Sequence, residues 1–438
     1  MNPPVPLAKL LPVPKDLTGR LALAGGGLFL GHWLLGDLLH VPGGGLGVLL
    51  TGAGVWWLSR GSTPPRFQEP ASLQGWIARC REVLDQFETL EPDGGVRRQQ
   101  LDAVVQRSGP QRLALVCVDP ATCPQQGELE QALAGAAPLT LSVARPLASA
   151  EGARTWPTVL QEQELILFSL AAPLLAEDLL WIQQLPEDQP TWLLVRSTAG
   201  ESDRHCSESL LAQLPARWVD RVLVQRPDGV LRDVLQPLRR QLGAPIRNLQ
   251  DTRQRLLRGL HQQWQADLEQ VRRRRFQALQ QRTQWIVAAS VLASPLPSLD
   301  LLAVAVANGL MLREMGTLWG TNLQPDVLRE AAGQLARAAL AQGVVEWSSQ
   351  MLLGLAKLDG GSWLVAGTMQ AISAAYLTRV VGRSMADWLA LNAGVDALDL
   401  ERLKREAPVL VAKAAEQERL DWAGFMKQSQ QWLLHATS

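Results

Sequence analysis

Five short apolar runs separated by helical patterns are the sequence feature that most constrains the fold. They begin at Arg112, Leu139, Glu164, Thr191 and Val219 and read RLALVCV, LTLSV, ELILFSL, TWLLVR and VDRVLV. Runs rich in Leu, Val and Ile and bounded by Pro and Gly are typical of strands buried on both faces of a parallel sheet. Helical patterns follow four of the runs, which predicts an α/β sheet with helices on both faces over residues 109–243.

Length and charge limit the other possibilities. A chain of 438 residues suggests two to four folded units. Lys plus Arg and Asp plus Glu both number 42, so no global charge favours nucleic acid or an acidic partner. The five histidines lack obvious cysteine or carboxylate partners in sequence. His205 is next to Cys206, but neighbours in sequence on a helix point in different directions, and we predict no metal ion and no catalytic residue.

The cysteines are Cys80, Cys117, Cys123 and Cys206, and they lack the paired C-x-x-C spacing of zinc or thioredoxin chemistry. We expect all of them to be reduced and structural, in agreement with a part of the chain that faces the cytoplasm. The alternative is two disulfide bridges.

The N-terminal residues contain a long apolar segment. Leu21–Trp57 is nearly free of charge and is split by VPGGG, which predicts a helical hairpin over residues 1–62. Each arm is near the lower limit of about 17 to 25 residues for crossing a membrane, so two short spans or one re-entrant hairpin are both open. Basic residues flank the hairpin on both sides, which predicts that both of its ends face the cytoplasm. A buried, glycine-rich hairpin in a soluble protein is the alternative.

Two later stretches, Trp285–Leu312 and Val344–Leu377, are also apolar, and both are interrupted. Pro295 and Pro297 break the first, and the pair of glycines at 360–361 breaks the second. Each half is shorter than a standard span. We therefore expect short hairpins that dip into the bilayer, or a helical bundle with an apolar face lying on it.

Asp300 lies inside the first of these stretches, where a charge in lipid costs roughly 2.5 to 3.5 kcal/mol. We expect Asp300 to cap the helix that begins after SPLPS. A functional intramembrane carboxylate is the alternative.

A basic helix is predicted between the sheet and the second apolar region. The sequence from Asn248 has helical composition throughout, and it ends in a cluster of arginines just ahead of Trp285, namely Arg272, Arg273, Arg274, Arg275 and Arg282. Juxtamembrane arginines attract anionic headgroups by about 1 kcal/mol each. The alternative is a solvated helix face whose arginines pair with Asp267 and Glu269. We expect no nucleic-acid binding, because no aromatic residues are interleaved with the arginines.

The strand LALV is followed by residues that cannot form a phosphate-binding loop. A G-x-x-x-x-G-K-[ST] loop needs glycines for backbone approach, a lysine for the phosphates and a hydroxyl for magnesium. The corresponding positions are Cys117, Thr122, Cys123 and Pro124. Pro124 also lacks an N–H where a phosphate oxygen needs a donor.

The guanine-reading and switch positions are degenerate in the same way. The strand TWLLVR leads into Arg196, Ser197, Thr198 and Ala199 where GTPases of the translation-factor type carry N-K-x-D. Of the D-x-P-G switch, only Pro157 is present.

The order of an apolar hairpin, a GTPase-like α/β domain and a C-terminal ASPLPSLDLLAVAVANGLMLREMGTLWG resembles bacterial membrane-associated GTPase-related proteins of the YcjF type. Their C-terminal helical domain is of unknown function. The motif residues here are Pro295, Pro297, Asp300, Arg313 and Glu314. The resemblance covers residues 250–395, and it covers the α/β domain by strand order. It implies a degenerate P-loop GTPase-like sheet.

The predicted organisation has five parts. They are an N-terminal membrane hairpin (1–62), a helical linker (63–108), a GTPase-like α/β domain without nucleotide motifs (109–243), a long basic connecting helix (244–284) and a helical membrane-associated domain (285–438).

The functional hypothesis is a membrane-anchored pseudo-GTPase that acts as a scaffold, docking or assembly factor without a cofactor. Its expected partners are the lipid bilayer and other membrane proteins, and a homo-oligomer is left open. The α/β domain would lie in the cytoplasm, at the plasma membrane or the thylakoid. The alternatives are a nucleotide-dependent, dynamin-like remodeller of membranes, a channel or transporter, and a soluble oligomer that masks its apolar hairpins.

Overall fold

A computed structural model describes residues 68–91, 95–119, 123–135, 137–144, 156–197, 212–293, 297–321, 325–358, 366–393 and 400–436. The chain divides into two compact units. The α/β unit is Glu69–Leu268, and the helical unit includes Glu269–Ser438. The hairpin predicted at residues 1–62 lies outside the described residues.

The α/β unit contains a parallel sheet of five strands in the order β2-β1-β3-β4-β5. The strands are β1 (Gln111–Cys117), β2 (Leu139–Ala144), β3 (Leu165–Ala171), β4 (Thr191–Arg196) and β5 (Val222–Gln225). All five predicted strands are therefore confirmed. The last begins later than its apolar run, because Ala216–Arg221 forms a 3-10 helix instead.

Helices cover both faces of the sheet. The helices of this unit that precede the long helix are α1 (Leu73–Leu90), α2 (Gly95–Val105), α3 (Gln126–Leu133), α4 (Thr158–Gln161), α5 (Ala176–Gln184), α6 (Leu231–Val234) and α7 (Gln236–Leu242). Helices α3, α6 and α7 pack on one face, and α4, α5 and the 3-10 helix pack on the other.

The side chains of β1 alternate between two cores, which explains why both faces of the sheet are apolar. Ala114 and Val116 belong to the core beneath α4 and α5, whereas Leu113 and Leu115 belong to the core beneath α3 and α7. Successive side chains of a strand point to opposite faces, so a continuous apolar run supplies two cores at once.

The predicted long basic helix is confirmed as α8 (Pro245–Ala293), which has 49 residues. Its residues up to Leu268 belong to the α/β unit. There it packs on α1, where the rings of His261 and Trp76 lie 5.7 Å apart. The thiol of Cys80 donates to the carbonyl of Leu257 at 3.5 Å.

In the described part of the helical unit, the rest of α8 is followed by six further helices. These are α9 (Pro297–Leu318), α10 (Pro325–Ala341), α11 (Val344–Leu358), α12 (Ala366–Leu391), α13 (Leu400–Leu420) and α14 (Trp422–Ala436). The apolar stretches are interrupted where predicted, because α8 ends at Ala293 and α9 begins at Pro297, and because α11 ends at Leu358 and α12 begins at Ala366.

The core of the helical unit is rich in aromatic side chains. Trp285 stacks between Phe425 and Trp432, with ring centroids 6.0 and 5.4 Å apart. Tyr376 packs edge-on against Trp422 at 5.2 Å. These contacts join the C-terminal part of α8 to α14, and α14 to α12.

Within the described residues, no helix is both long enough and apolar enough to cross a membrane.

Candidate functional site

The carboxyl edge of the sheet is the first candidate site. The chain passes from β1 to β2 on one side and on to β3 on the other, so the direction of winding reverses between β1 and β3. Open α/β sheets bind ligands in the crevice outside the carboxyl ends of their strands at such a reversal. β1 ends at Cys117, which places the degenerate phosphate-loop positions at this crevice.

A disulfide bond joins Cys117 to Cys123, and the Cα atoms of the two residues are 5.7 Å apart. This separation is within the usual range of about 4.4 to 6.8 Å. The prediction of four reduced cysteines is therefore wrong for this pair. Cys80 is free and buried, and burial raises its pKa to about 11. Cys206 lies outside the described residues.

The start of α3 differs from a phosphate-binding helix terminus. Pro124 is buried just before the helix, and Glu128 lies in its first turn. Thr122 lies outside the described residues. A helix N-terminus attracts anions, and a carboxylate in the first turn offsets that attraction for a phosphate. The sequence also contains no lysine between residues 16 and 356, so no residue of the α/β unit supplies a phosphate-loop lysine.

More carboxylates lie at the same edge. Asp119 follows β1, and Glu177 and Asp178 lie in the first turn of α5. The backbone N–H of Leu175 donates to Asp178 Oδ2 at 2.9 Å. Burial raises the pKa of Asp178, and the charges of Glu177 and Asp119 raise it further, while the Leu175 hydrogen bond lowers it. A triphosphate there would therefore meet the negative charges of Asp119 and Glu177, and Arg196 at the end of β4 is a basic residue of the same edge.

The guanine-reading positions follow β4. Arg196 is the last residue of that strand, and the N–H of Ser197 donates to the carbonyl of Gln225 at 2.9 Å. Ala199 lies outside the described residues. Pro157, the remnant of the switch motif, directly precedes α4, and its carbonyl accepts from the N–H of Leu160 at 3.0 Å.

The amino edge of the sheet contains a buried ion pair that the sequence analysis missed. Arg107 donates to Glu164 Oε1 from Nη2 at 2.8 Å and from Nε at 3.0 Å. The side chains are 10% and 2% exposed. Glu164 Oε2 also accepts from the N–H of Arg112 at 2.6 Å, so the carboxylate fixes the start of β1.

Helix α8 occupies the same edge. Arg255 Nη2 donates to the carbonyl of Gln163 at 2.9 Å, and Asn248 Nδ2 donates to Gln111 Oε1 at 2.6 Å. Burial lowers the pKa of Arg255. The first part of α8 is thus a structural component of the α/β unit. No single sequence motif could identify these residues, because they come from distant parts of the chain.

The arginines of the basic cluster have different environments. Arg272 is 2% exposed and donates to the carbonyls of Leu318 and Trp319 at 3.0 and 3.3 Å. Burial lowers its pKa. Arg272 therefore cannot serve the membrane surface, which corrects the prediction for this residue. Arg273 is half-buried and pairs with Glu269 and with Asp387, each at 2.6 Å.

The other three arginines of the cluster, Arg274, Arg275 and Arg282, are exposed. Arg282 Nη2 pairs with Glu314 Oε1 at 2.6 Å. Arg273 follows the alternative of pairing within the protein, through Glu269.

A polar cavity of about 560 Å³ lies between α8, α12, α13 and α14 of the helical unit. Glu418, whose side chain is 1% exposed, pairs there with both Arg379 and Arg383. The wall includes the glutamines Gln277, Gln280, Gln281, Gln284, Gln417 and Gln428. Arg379 also pairs with Asp421, so the arginine charges are balanced by carboxylates. This arrangement holds four helices together and suits a neutral polar ligand better than an anion.

The residues of the sequence motif lie on α9 or just before it. Pro295 is outside the described residues, and Pro297 is the first residue of the helix. Asp300 is the fourth residue of α9, so the prediction that it precedes and caps the helix is wrong, because the helix begins earlier at the second proline. Arg313 and Glu314 are exposed on the same helix.

No group of three or more His, Cys, Asp or Glu side chains within the described ranges could hold a metal ion.

Comparison with known proteins concerns the C-terminal half. Residues 255–416 match the family model described as a domain of unknown function, DUF697. No curated protein and no solved structure matches the chain. The matched range begins within α8 and ends within α13. The C-terminal helical region of this chain is thus similar to a domain of unknown function, DUF697.

Proposed function

We propose that the protein is a membrane-anchored scaffold or assembly factor whose α/β unit is a degenerate GTPase-like domain without nucleotide chemistry. The main support is the carboxyl edge of the sheet, where a nucleotide would bind. The Cys117–Cys123 disulfide closes the loop after β1, and a carboxylate stands in the first turn of the next helix.

Charge supports the loss of nucleotide binding. The residues Asp119, Glu128, Glu177 and Asp178 come together at the carboxyl edge, and the chain lacks lysine from residue 16 to residue 356. A triphosphate binds where backbone N–H groups and a lysine offset its charge. A fold can persist after the site on it has been lost, so the sheet still offers a surface for docking.

Membrane attachment rests on the sequence. The apolar hairpin at Leu21–Trp57 and the interrupted apolar stretches of the helical unit supply the anchor. The acidic carboxyl edge supplies the docking surface, and a basic surface on another membrane protein is its complement.

Nucleotide binding is tested on the full chain in mild detergent, with fluorescent GTP and magnesium. We expect no saturable binding and no hydrolysis. Hydrolysis stimulated by lipid would instead support the dynamin-like remodeller.

The scaffold role is tested by affinity isolation followed by mass spectrometry. We expect the isolated partners to be lost on Glu177→Lys, which reverses an exposed charge at the carboxyl edge. The matched control is Glu162→Lys, an exposed glutamate at the opposite edge, and its partners should be retained. Equal retention by both variants would contradict docking at the carboxyl edge.

A further inference from the structure

Exposed apolar side chains gather at one end of the helical unit. They are Ile286 and Leu292 on α8, Leu310 on α9, and Met351 and Leu353 on α11, with 49%, 36%, 56%, 38% and 48% of their surface exposed. We name these five residues the apolar tip. Monomeric soluble domains rarely expose such a group of large apolar residues together, and a group of this kind marks an interaction surface.

Three contacts establish that these residues share one end. A Cβ atom added at Gly367, near the start of α12, would lie 3.9 Å from Leu292 Cδ1. The ion pair between Arg282 and Glu314 sets α9 antiparallel to α8, so that Leu310 and Ile286 are at the same level. The hydroxyls of Ser349 and Ser373 lie 3.2 Å apart, which sets α11, two residues before Met351, beside the first half of α12.

The length of the uncharged helix ends gives the depth of the tip. Between Arg282 and Leu292, α8 has no charged residue, which at 1.5 Å per residue is about 15 Å. Between Ala366 and Arg379, α12 is also free of charge, over about 20 Å. Half of a hydrocarbon core of about 30 Å is about 15 Å, so these two helix ends are as long as one leaflet is deep. The other two helices each have a charged residue towards this end, Asp300 on α9 and Lys357 on α11.

Positive charge borders the tip. Arg282 and Arg313 are exposed on α8 and α9, and the acidic residue Glu314 is exposed beside them. The Arg282–Glu314 pair is 59% and 50% exposed and is therefore weak. Each arginine near an anionic surface contributes about 1 kcal/mol. The border is thus complementary to anionic headgroups at the level where the apolar region ends.

We propose that the apolar tip inserts into a single leaflet of an anionic bilayer, with Arg282 and Arg313 at the headgroups. The inference rests on the membrane attachment in the proposed function, and it adds the surface, the depth and the class of lipid. It also places this end of the helical unit in the membrane independently of the N-terminal hairpin.

The test uses an environment-sensitive fluorophore on cysteines introduced at the tip of the full chain. Leu292→Cys, Leu310→Cys and Leu353→Cys are labelled in a Cys206→Ser background, with the unsubstituted background chain labelled in parallel. Leu391→Cys is the control, because Leu391 is 57% exposed and ends α12, about 36 Å along that helix from Gly367. The probes are vesicles of zwitterionic lipid with and without phosphatidylglycerol, some of them brominated in the acyl chains.

The proposal expects the emission of the three tip probes to shift to the blue on anionic vesicles and to be quenched by brominated lipid, with the Leu391 probe unchanged. A chain that floats with vesicles while its tip probes stay unquenched would overturn this inference and leave the membrane attachment standing. A blue shift without bromine quenching would mean that a second copy of the chain covers the tip, and it would overturn insertion into lipid. A chain that does not float at all would overturn both.

Discussion

The buried ion pair at the amino edge of the sheet allows a sharp test of what holds the α/β unit together. Replacing Glu164 by Gln keeps the shape of the side chain and removes its charge. The native carboxylate accepts two hydrogen bonds from Arg107 and one from the backbone N–H of Arg112. In the variant, one of these donors faces an amide N–H₂, and Arg107 keeps a buried positive charge that no carboxylate offsets.

The expected loss in the free energy of unfolding follows from the burial of the ion pair. Removing one partner of a buried ion pair costs about 3 to 5 kcal/mol. The side chain of Glu164 is 2% exposed, so the ion pair counts as buried. Because the isosteric amide retains one acceptor, we expect a loss near the lower end of this range. Since about 1.4 kcal/mol is a factor of ten, a loss of about 3 kcal/mol raises the opening equilibrium about a hundredfold.

Glu162→Gln is the matched control. Glu162 is 57% exposed, and its carboxylate lies 4.0 Å from Arg112 Nη1. Exposed pairs contribute about 0 to 1 kcal/mol, so we expect no more than a severalfold change. Hydrogen exchange followed by mass spectrometry reports on peptides of β1 and β3 separately from the helical unit. Equal acceleration by the two variants, or no acceleration by Glu164→Gln, would refute the assignment of this ion pair as a main support of the sheet.

Three further outcomes are expected. Alkylation and digestion without reductant should yield a peptide that links Cys117 to Cys123, and separate alkylated peptides would contradict the bond. Arg272→Met should lower the free energy of unfolding of the helical unit, measured in urea, by about 1 to 3 kcal/mol, because two carbonyls at the end of a helix lose their donor. The control Arg275→Met should change that free energy by less than about 0.5 kcal/mol. Burial lowers the pKa of His261. Unfolding scans should therefore show that the contribution of the neutral His261 side chain to stability is complete above pH 6.5 and is lost as the pH falls through the lowered pKa. His261→Gln should flatten this dependence, and an unchanged profile would contradict it.

The sheet could be predicted because each strand is recognised from its own residues, without knowledge of contacts to distant parts of the chain. Leu113, Leu115 and Val116 lie in a run that is apolar at successive positions, which is how a strand buried on both faces is recognised. The long helix α8 was predictable for a similar reason, since its composition is helical throughout.

The contacts between distant segments could not be predicted. Arg107 and Glu164 are 57 residues apart, and no local pattern pairs them. The four consecutive arginines from Arg272 show the same limit, because adjacent residues on a helix face different directions and only packing decides which one is buried. The spacing of Cys117 and Cys123 matches no metal or redox motif, so the bond depends on how the loop after β1 folds.

The nucleotide content of the purified full chain tests the central claim most directly. The protein is isolated in mild detergent with magnesium present, denatured, and the released small molecules are separated and quantified against the protein concentration. The account predicts no guanine nucleotide above the level released from a control preparation. One guanine nucleotide per chain, lost when magnesium is chelated, would contradict it.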